Sequence, residues 1–377
     1  MAASLTLSSD MRKSKLIIND YPKLKIFWNI RYFQFFFILI LLGISWIVRE
    51  QWLSSPSVPA EKIPLPQYSD SDFYLSTENQ QTVESPIHPI PQLKALSAEL
   101  TAKINLGQQL FQDVRLSGSQ KISCMSCHIL TLGGHDPRGI SIGTNGSRLK
   151  RNSPTVLNAA FNFRQFWDGR SHNLAEQAGQ PLLNPDEMGG NREQIITQLS
   201  ADPAMVEAFS IYPQGIQLKT IQDAISLYER TLITPDNPFD RYLKGDNSAI
   251  SNTARRGYTL FRDFGCISCH QGRNVGGNLF QKIGVYAENE QQLKLLHDDQ
   301  GRFEVTGNPV DHLVFKVPSL RNVALTAPYF HDGSRATLEE AVSDMGALQL
   351  GRKLNEEQIN QLVAFLNTLS ADLSAIH

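Results

Sequence analysis

The sequence predicts a mainly α-helical fold: two copies of one small domain in tandem, behind a single N-terminal membrane-spanning helix. Three observations carry this. An uncharged apolar run occupies residues 32–48. The rest of the chain repeats the order helix, cysteine pair, helix. Convincing period-2 strand patterns are few, whereas the period of a helix recurs.

The apolar run centres on Phe35, Phe36, Phe37, Ile38, Leu39, Ile40 and Leu41. At roughly 17 residues it is near the lower limit for a spanning helix. Trp28, Trp46 and Trp52 sit where interfacial aromatics belong. Arg12, Lys13, Lys15, Lys23, Lys25 and Arg31 precede the run, while only Arg49 and Glu50 follow it closely. That bias predicts residues 1–31 in the cytoplasm and the remainder in the periplasm, anchored to the inner membrane by one pass. The rival reading is a cleaved signal peptide, with Val58, Pro59 and Ala60 as the cleavage site. That site lies well past the apolar core, and the run is long for a signal. Residues 49–92 read as a linker, rich in Ser, Pro and Gln.

Two domains follow, 93–240 and 241–377, split where Pro235, Asp236, Asn237, Pro238 and Gly245 cluster. Leu100, Ile104, Gly107 and Phe111 share one helix face before the first cysteine pair, as do Ala254, Gly257 and Phe261 before the second. Each domain closes on an amphipathic helix. Ile221, Ala224, Ile225, Tyr228 and Leu232 form one such face, and Ile359, Leu362, Val363, Leu366 and Leu369 the other.

Hydrophobic residues make up 41% of the 377-residue chain, enough for two cores, and the formal net charge of −2 offers nothing to nucleic acid. Four cysteines are present, all in two motifs: Cys124-Met125-Ser126-Cys127-His128 and Cys266-Ile267-Ser268-Cys269-His270. None is left for a disulfide. The spacing is that of covalent haem attachment. Two cysteines three apart each form a thioether to one porphyrin, and the next histidine becomes the proximal iron ligand. A thioredoxin-like pair would not need the histidine twice, and a shared zinc site would leave both histidines idle. The fold class is therefore two c-type cytochrome domains in tandem, with two covalently bound haem c groups. Such haems alone imply only electron transfer. The sixth ligand and the pocket decide whether chemistry occurs at iron.

Further motifs extend the pattern: Arg151-Asn152-Ser153-Pro154, Phe166-Trp167-Asp168-Gly169-Arg170, Glu176-Gln177, Asn184-Pro185-Asp186-Glu187-Met188, the run 320–331 and Asp344-Met345-Gly346. Over residues 93–369 the sequence resembles the bacterial di-haem cytochrome c peroxidases. The resemblance implies reduction of hydrogen peroxide to water, with electrons from a small c-type cytochrome or cupredoxin. It implies a peroxidatic haem on His128 and an electron-entry haem on His270, with Met345 as sixth ligand. It makes Glu187 the acid–base carboxylate, which moves a proton between the peroxide oxygens, and Gln177 its polar partner. Trp167 becomes the aromatic between the haems. Asn152, with the carbonyls of Thr326 and Pro328, becomes a calcium site. A homodimer stays open.

The chain departs from that family at one place. On the loop after the first motif, many members carry a histidine that caps the peroxidatic iron until the other haem is reduced. Counted from Gly133 and Gly134, that position here is Thr144, a poor haem ligand. The expectation is a first haem that is open at rest, needing no reductive activation. His135, on the same stretch, is the one residue that could undo it. Two other functions compete. The related methylamine-utilisation enzymes oxidise a partner protein and use tyrosine at the second haem, whereas this chain keeps Met345. A membrane-tethered electron carrier would need neither Glu187 nor Gln177.

Overall fold

The computed structural model describes residues 68–76, 85–287, 299–374 and 376, all within one unit spanning Leu65–His377. The expected anchor, residues 32–48, lies outside the described residues, among which no helix is long and apolar enough to cross a membrane.

Two helix pairs organise the molecule. In the first half, α1 (Ala98–Gln112) packs on α3 (Leu218–Glu229), with α2 (Leu174–Leu183) alongside α3. In the second half, α4 (Asn252–Asp263) packs on α6 (Glu356–Asn367), and α5 (Leu338–Asp344) sits against α6. Serine caps open both leading helices: the Leu100 N–H donates to Ser97 Oγ, and the Ala254 N–H to Ser251 Oγ. Glycine sets both crossings. A Cβ on Gly107 would lie 1.9 Å from the Ala224 carbonyl oxygen, and one on Gly257 would lie 1.8 Å from that of Gln361. The backbones meet because those positions carry no side chain.

The repeat goes deeper than its helices. Asn158 and Asn322 both adopt positive φ, and each opens a short 3₁₀ turn. Both amides donate to the hydroxyl of one buried residue, Thr234, at 2.7 and 3.0 Å. Phe166 and Phe330 share φ values of 67° and 68°. The Asn152 N–H donates to the His331 carbonyl, and the Lys316 N–H to the Trp167 carbonyl, each at 2.7 Å. The halves therefore exchange equivalent bonds, Asn152 with His331 and Lys316 with Trp167, which makes Asn152 the counterpart of Lys316 and Trp167 that of His331. These contacts use two small antiparallel sheets, β1 (Ile140–Ile142) with β2 (Arg148–Asn152) and β3 (Phe280–Lys282) with β4 (Val314–Lys316).

Each half has its own apolar core, built around Phe111 and Tyr228 in the first and Phe261 and Phe365 in the second. A third core corrects the linker reading of 49–92. Phe73, Tyr74 and Ile90 are buried with Leu227 and Ile233, and Ile87 is buried in the second core. The described part of that stretch is a strap held by scattered single anchors. They follow neither helix nor strand period, so no pattern marked them.

Candidate functional site: two Cys-x-x-Cys-His centres and the seam between them

Both cysteine motifs fold as one turn of 3₁₀ helix, Cys124–Ser126 and Cys266–Ser268. The turn closes when the His128 N–H donates to the Cys124 carbonyl at 2.9 Å and the His270 N–H to that of Cys266 at 3.0 Å. A tight turn draws two thiols and an imidazole into one cluster, as a single porphyrin requires. His128 Nδ1 donates to the Gly134 carbonyl at 3.1 Å, which leaves Nε2 for iron. Burial holds both imidazoles below their usual range, His270 down to about 4, so they are neutral and able to ligate. Phe111 packs near His128, with ring centroids 6.5 Å apart, and Phe261 near His270 at 6.4 Å.

The thiols carry their own evidence. All four are unpaired. Burial pushes Cys124 up to about 12 and Cys266 up to about 11. Thiolate redox and metal sites lower such values. Cys124 and Cys266 are held as neutral thiols, suited to thioethers.

Around the second centre lies a cavity of about 260 Å³, lined by Cys266, Cys269, His270, Trp167, Lys316 and Met345 among others. It is far too large for a hydration site. Met345 begins a π-helical turn, Met345–Gln349, directly after α5. Such turns are frequent at functional sites. The structure thus brings Met345 and His270 to one apolar cavity, although 75 positions of sequence separate them. The residues present fit a haem with a histidine and a thioether ligand.

At the first centre, Glu187 follows α2 in a turn closed by its own N–H donating to the Asn184 carbonyl. Its neighbour Met188 is buried in the core against which Cys124 packs, and its charge acts on Cys127. Burial raises its carboxyl pKa, against lowering by the Arg170 guanidinium and by a hydrogen bond with Asn184. Gln177 is half-buried on α2; no hydrogen bond joins it to Glu187. The Thr144 N–H donates to the Glu187 carbonyl at 2.7 Å, so the loop lies against the Glu187 turn. Close approach is possible because Gly143 has no Cβ; one there would sit 1.8 Å from the Asp186 carbonyl oxygen. Asp136 pins the loop's near end. Burial raises its carboxyl, but hydrogen bonds from Arg138 and Ser141 outweigh this and hold it at about 2. His135 is buried, with Nε2 2.9 Å from the Ala327 carbonyl oxygen of the other half. It is engaged at the seam.

Trp167 and Asn152 meet at that seam. The indole N–H donates to the Asn152 carbonyl at 2.8 Å, and the Trp167 ring meets His331 edge-on at 6.3 Å between centroids. The Asn152 side-chain nitrogen donates to the Pro328 carbonyl at 2.7 Å, while its Oδ1 is buried without a partner. Thr326 lines the same cavity. A buried, unpartnered amide oxygen is a donor of the type hard cations take, although the Pro328 carbonyl already accepts from the amide nitrogen of the same side chain.

Sequence reasoning missed two residues. Glu229, 4% exposed on α3, has burial alone pushing its carboxyl up to about 8, leaves Oε2 unpartnered, and acts on Cys124. Its counterpart in the second half, by the Gly107 and Gly257 crossings, is Leu366, which lines the cavity. Lys316 is the other. An acidic residue at a core-facing helix position was the available signal for Glu229.

Comparison with known proteins follows the same division. The family model for di-haem cytochrome c peroxidase matches residues 101–248, and that for cytochrome c matches residues 254–370. The chain is 44% identical to cytochrome c551 peroxidase of Nitrosomonas europaea over 286 residues, 75% of this chain and 84% of that protein. It is 33% identical to the methylamine utilization protein MauG of Methylorubrum extorquens, over 76% of this chain and 83% of the relative. Among solved structures it is similar to a MauG-like protein associated with microbial copper homeostasis (TM-score 0.66, 27% identity), covering 84% of this chain and 96% of that one. Helical architecture, paired haem-attachment turns and these relatives agree: the chain belongs to the di-haem cytochrome c peroxidase family and is a peroxidase enzyme with two c-type haem domains.

Proposed function

We propose that hydrogen peroxide is reduced to water at the His128 centre, with electrons entering at the His270/Met345 centre, and that the enzyme needs no reductive activation. Each haem, when bound, supplies an iron that takes up and passes single electrons, the first of them also receiving peroxide. The chain's own residues do the rest. Glu187 takes a proton from one peroxide oxygen and returns it to the other, a role helped by burial raising its carboxyl pKa. Gln177 orients the substrate beside it. Two further protons and two electrons complete two waters. Trp167 and the seam backbone join the two centres, and Met345 suits a haem that stores an electron, because Met/His ligation raises the potential.

The observation that carries this reading is the position of Glu187. It is a partly desolvated carboxylate beside Cys127, with the Thr144 backbone seated on its carbonyl. Thr144 and the engaged His135 support an open resting iron. Retention of Met345 favours peroxide reduction over protein oxidation. The donor is a small c-type cytochrome or cupredoxin. Calcium sits at Asn152, Thr326 and Pro328, where Oδ1 of Asn152 awaits a partner. Residues 32–48 anchor the enzyme to the inner membrane with its catalytic domains in the periplasm. The function is tested by mixing reduced small cytochrome with enzyme and limiting peroxide. Two donors oxidised per peroxide is the expected result. Donor oxidation without peroxide would make the chain a carrier.

A further inference from the structure

Lys316 ends β4 with its side chain buried; only 6% of the residue is exposed. Among the described residues no carboxylate lies within ion-pair distance of it, whereas the carboxylates of Asp168 and Asp299 are bound to Arg151 in the seam. Burial, unopposed by any charge, pushes its ammonium down to about 8. An unpaired ammonium in an apolar interior is costly, so this position implies an anion that the protein atoms alone do not supply.

The cavity identifies the anion. Lys316 lines the same space as Cys266, Cys269, His270 and Met345. Its backbone N–H donates to the Trp167 carbonyl, which fixes the strand's end at the seam. A haem held there by two thioethers and a histidine carries two propionates on the edge away from its thioether bonds. Lys282, the other lysine on the cavity wall, is exposed. The repeat adds a control: the matching place in the first half holds Asn152, a neutral amide. We propose that the Lys316 ammonium is the buried counter-ion of a propionate of the haem held by Cys266, Cys269 and His270, and that it raises that haem's reduction potential. Reduction adds one negative charge to the haem, and a fixed cation in a low-dielectric site favours it. The half with the cation is the half that stores the electron.

The inference rests on haem occupying the second centre, and the experiment separates the two claims. Full-length holoenzyme is prepared as wild type, Lys316→Met and Lys316→Arg. Haem is counted per chain, and each haem's potential is followed by spectroelectrochemical titration. Two haems per wild-type chain upholds the occupancy; one haem, or none, overturns that reading instead. In Lys316→Met the second haem is expected to be harder to reduce by about tenfold in its equilibrium, roughly 59 mV for one electron. Lys316→Arg should stay near wild type, and the first haem should move less. If Lys316→Met does not mature with both haems, Lys316→Gln replaces it, and rescue of loading by Lys316→Arg but not by Lys316→Gln supports the ion pair. Equal potentials in wild type and Lys316→Met, or equal failure of the Arg and Gln variants, would overturn the proposal.

Discussion

The two halves of this protein use one backbone plan and differ at a few side chains. Both cross a leading and a closing helix at a glycine, both turn cysteines and histidine on a 3₁₀ step, and both bond an asparagine to Thr234. The first half then places Glu187 near its haem turn, Glu229 in electrostatic reach of Cys124, and Asn152 at the seam. The second places Met345, Leu366 and Lys316 in the corresponding regions. The difference teaches that a repeated scaffold can be divided into a reactive site and a storage site with few substitutions. Carboxyl groups collect around the centre proposed to move protons. A thioether and a cation collect around the centre proposed to hold an electron.

The sharpest break of that comparison removes the proton carrier. Glu187→Gln should leave the absorption spectrum close to wild type and lower turnover by about 10²–10⁴-fold, read in steady-state peroxide assays. Retained turnover would take Glu187 out of the chemistry. In the wild type, peroxide reactivity should fall with acid through a midpoint above the ordinary carboxylate value, because burial raises the Glu187 carboxyl. Next in size is Met345→His. A second nitrogen ligand in place of sulfur should lower the potential of the second haem alone, measured by redox titration. An unchanged potential would mean that Met345 is not its ligand.

The shared scaffold is tested by Gly107→Ala and Gly257→Ala. Each adds a methyl within 2 Å of a carbonyl oxygen, and each should cost about 1–3 kcal/mol of stability through overpacking, seen as a lower melting temperature. Comparable losses would confirm equivalent crossings. A comparable effect, of opposite sign and dependent on pH, is expected from Glu229→Leu, which gives the first half the residue of the second. A buried unpaired carboxyl costs on the order of 1–3 kcal/mol. The wild-type carboxyl is raised to about 8, so the folded state holds its proton and stability falls as pH rises from the unfolded value toward 8. The variant's gain should therefore be small near pH 5 and largest above pH 8.

The scaffold was legible because it is written locally. The cysteine motifs, the apolar helix faces and the two leading glycines each lie within a few turns of chain. The motifs around Trp167, Glu187 and Met345 gave the site by family resemblance, and the structure adds their surroundings. What could not be read depends on residues far apart in sequence. Ile87 is buried against a domain nearly two hundred positions on, and its neighbours show no period. Lys316 looks like an ordinary solvated lysine on a strand until the fold buries it. Glu229 follows Tyr228 on an otherwise well-patterned helix; its core-facing position was a signal in the sequence, and its burial near Cys124 emerges only from the fold.

The most direct test of the division of labour is the resting state of the first haem. Fully oxidised holoenzyme, never exposed to reductant, is examined by electron paramagnetic resonance and then mixed with peroxide. The account predicts a high-spin ferric signal from the His128 centre and prompt reaction with peroxide. A wholly low-spin spectrum with no reaction would contradict it, because a protein ligand would then cap the iron proposed to be open beside Thr144.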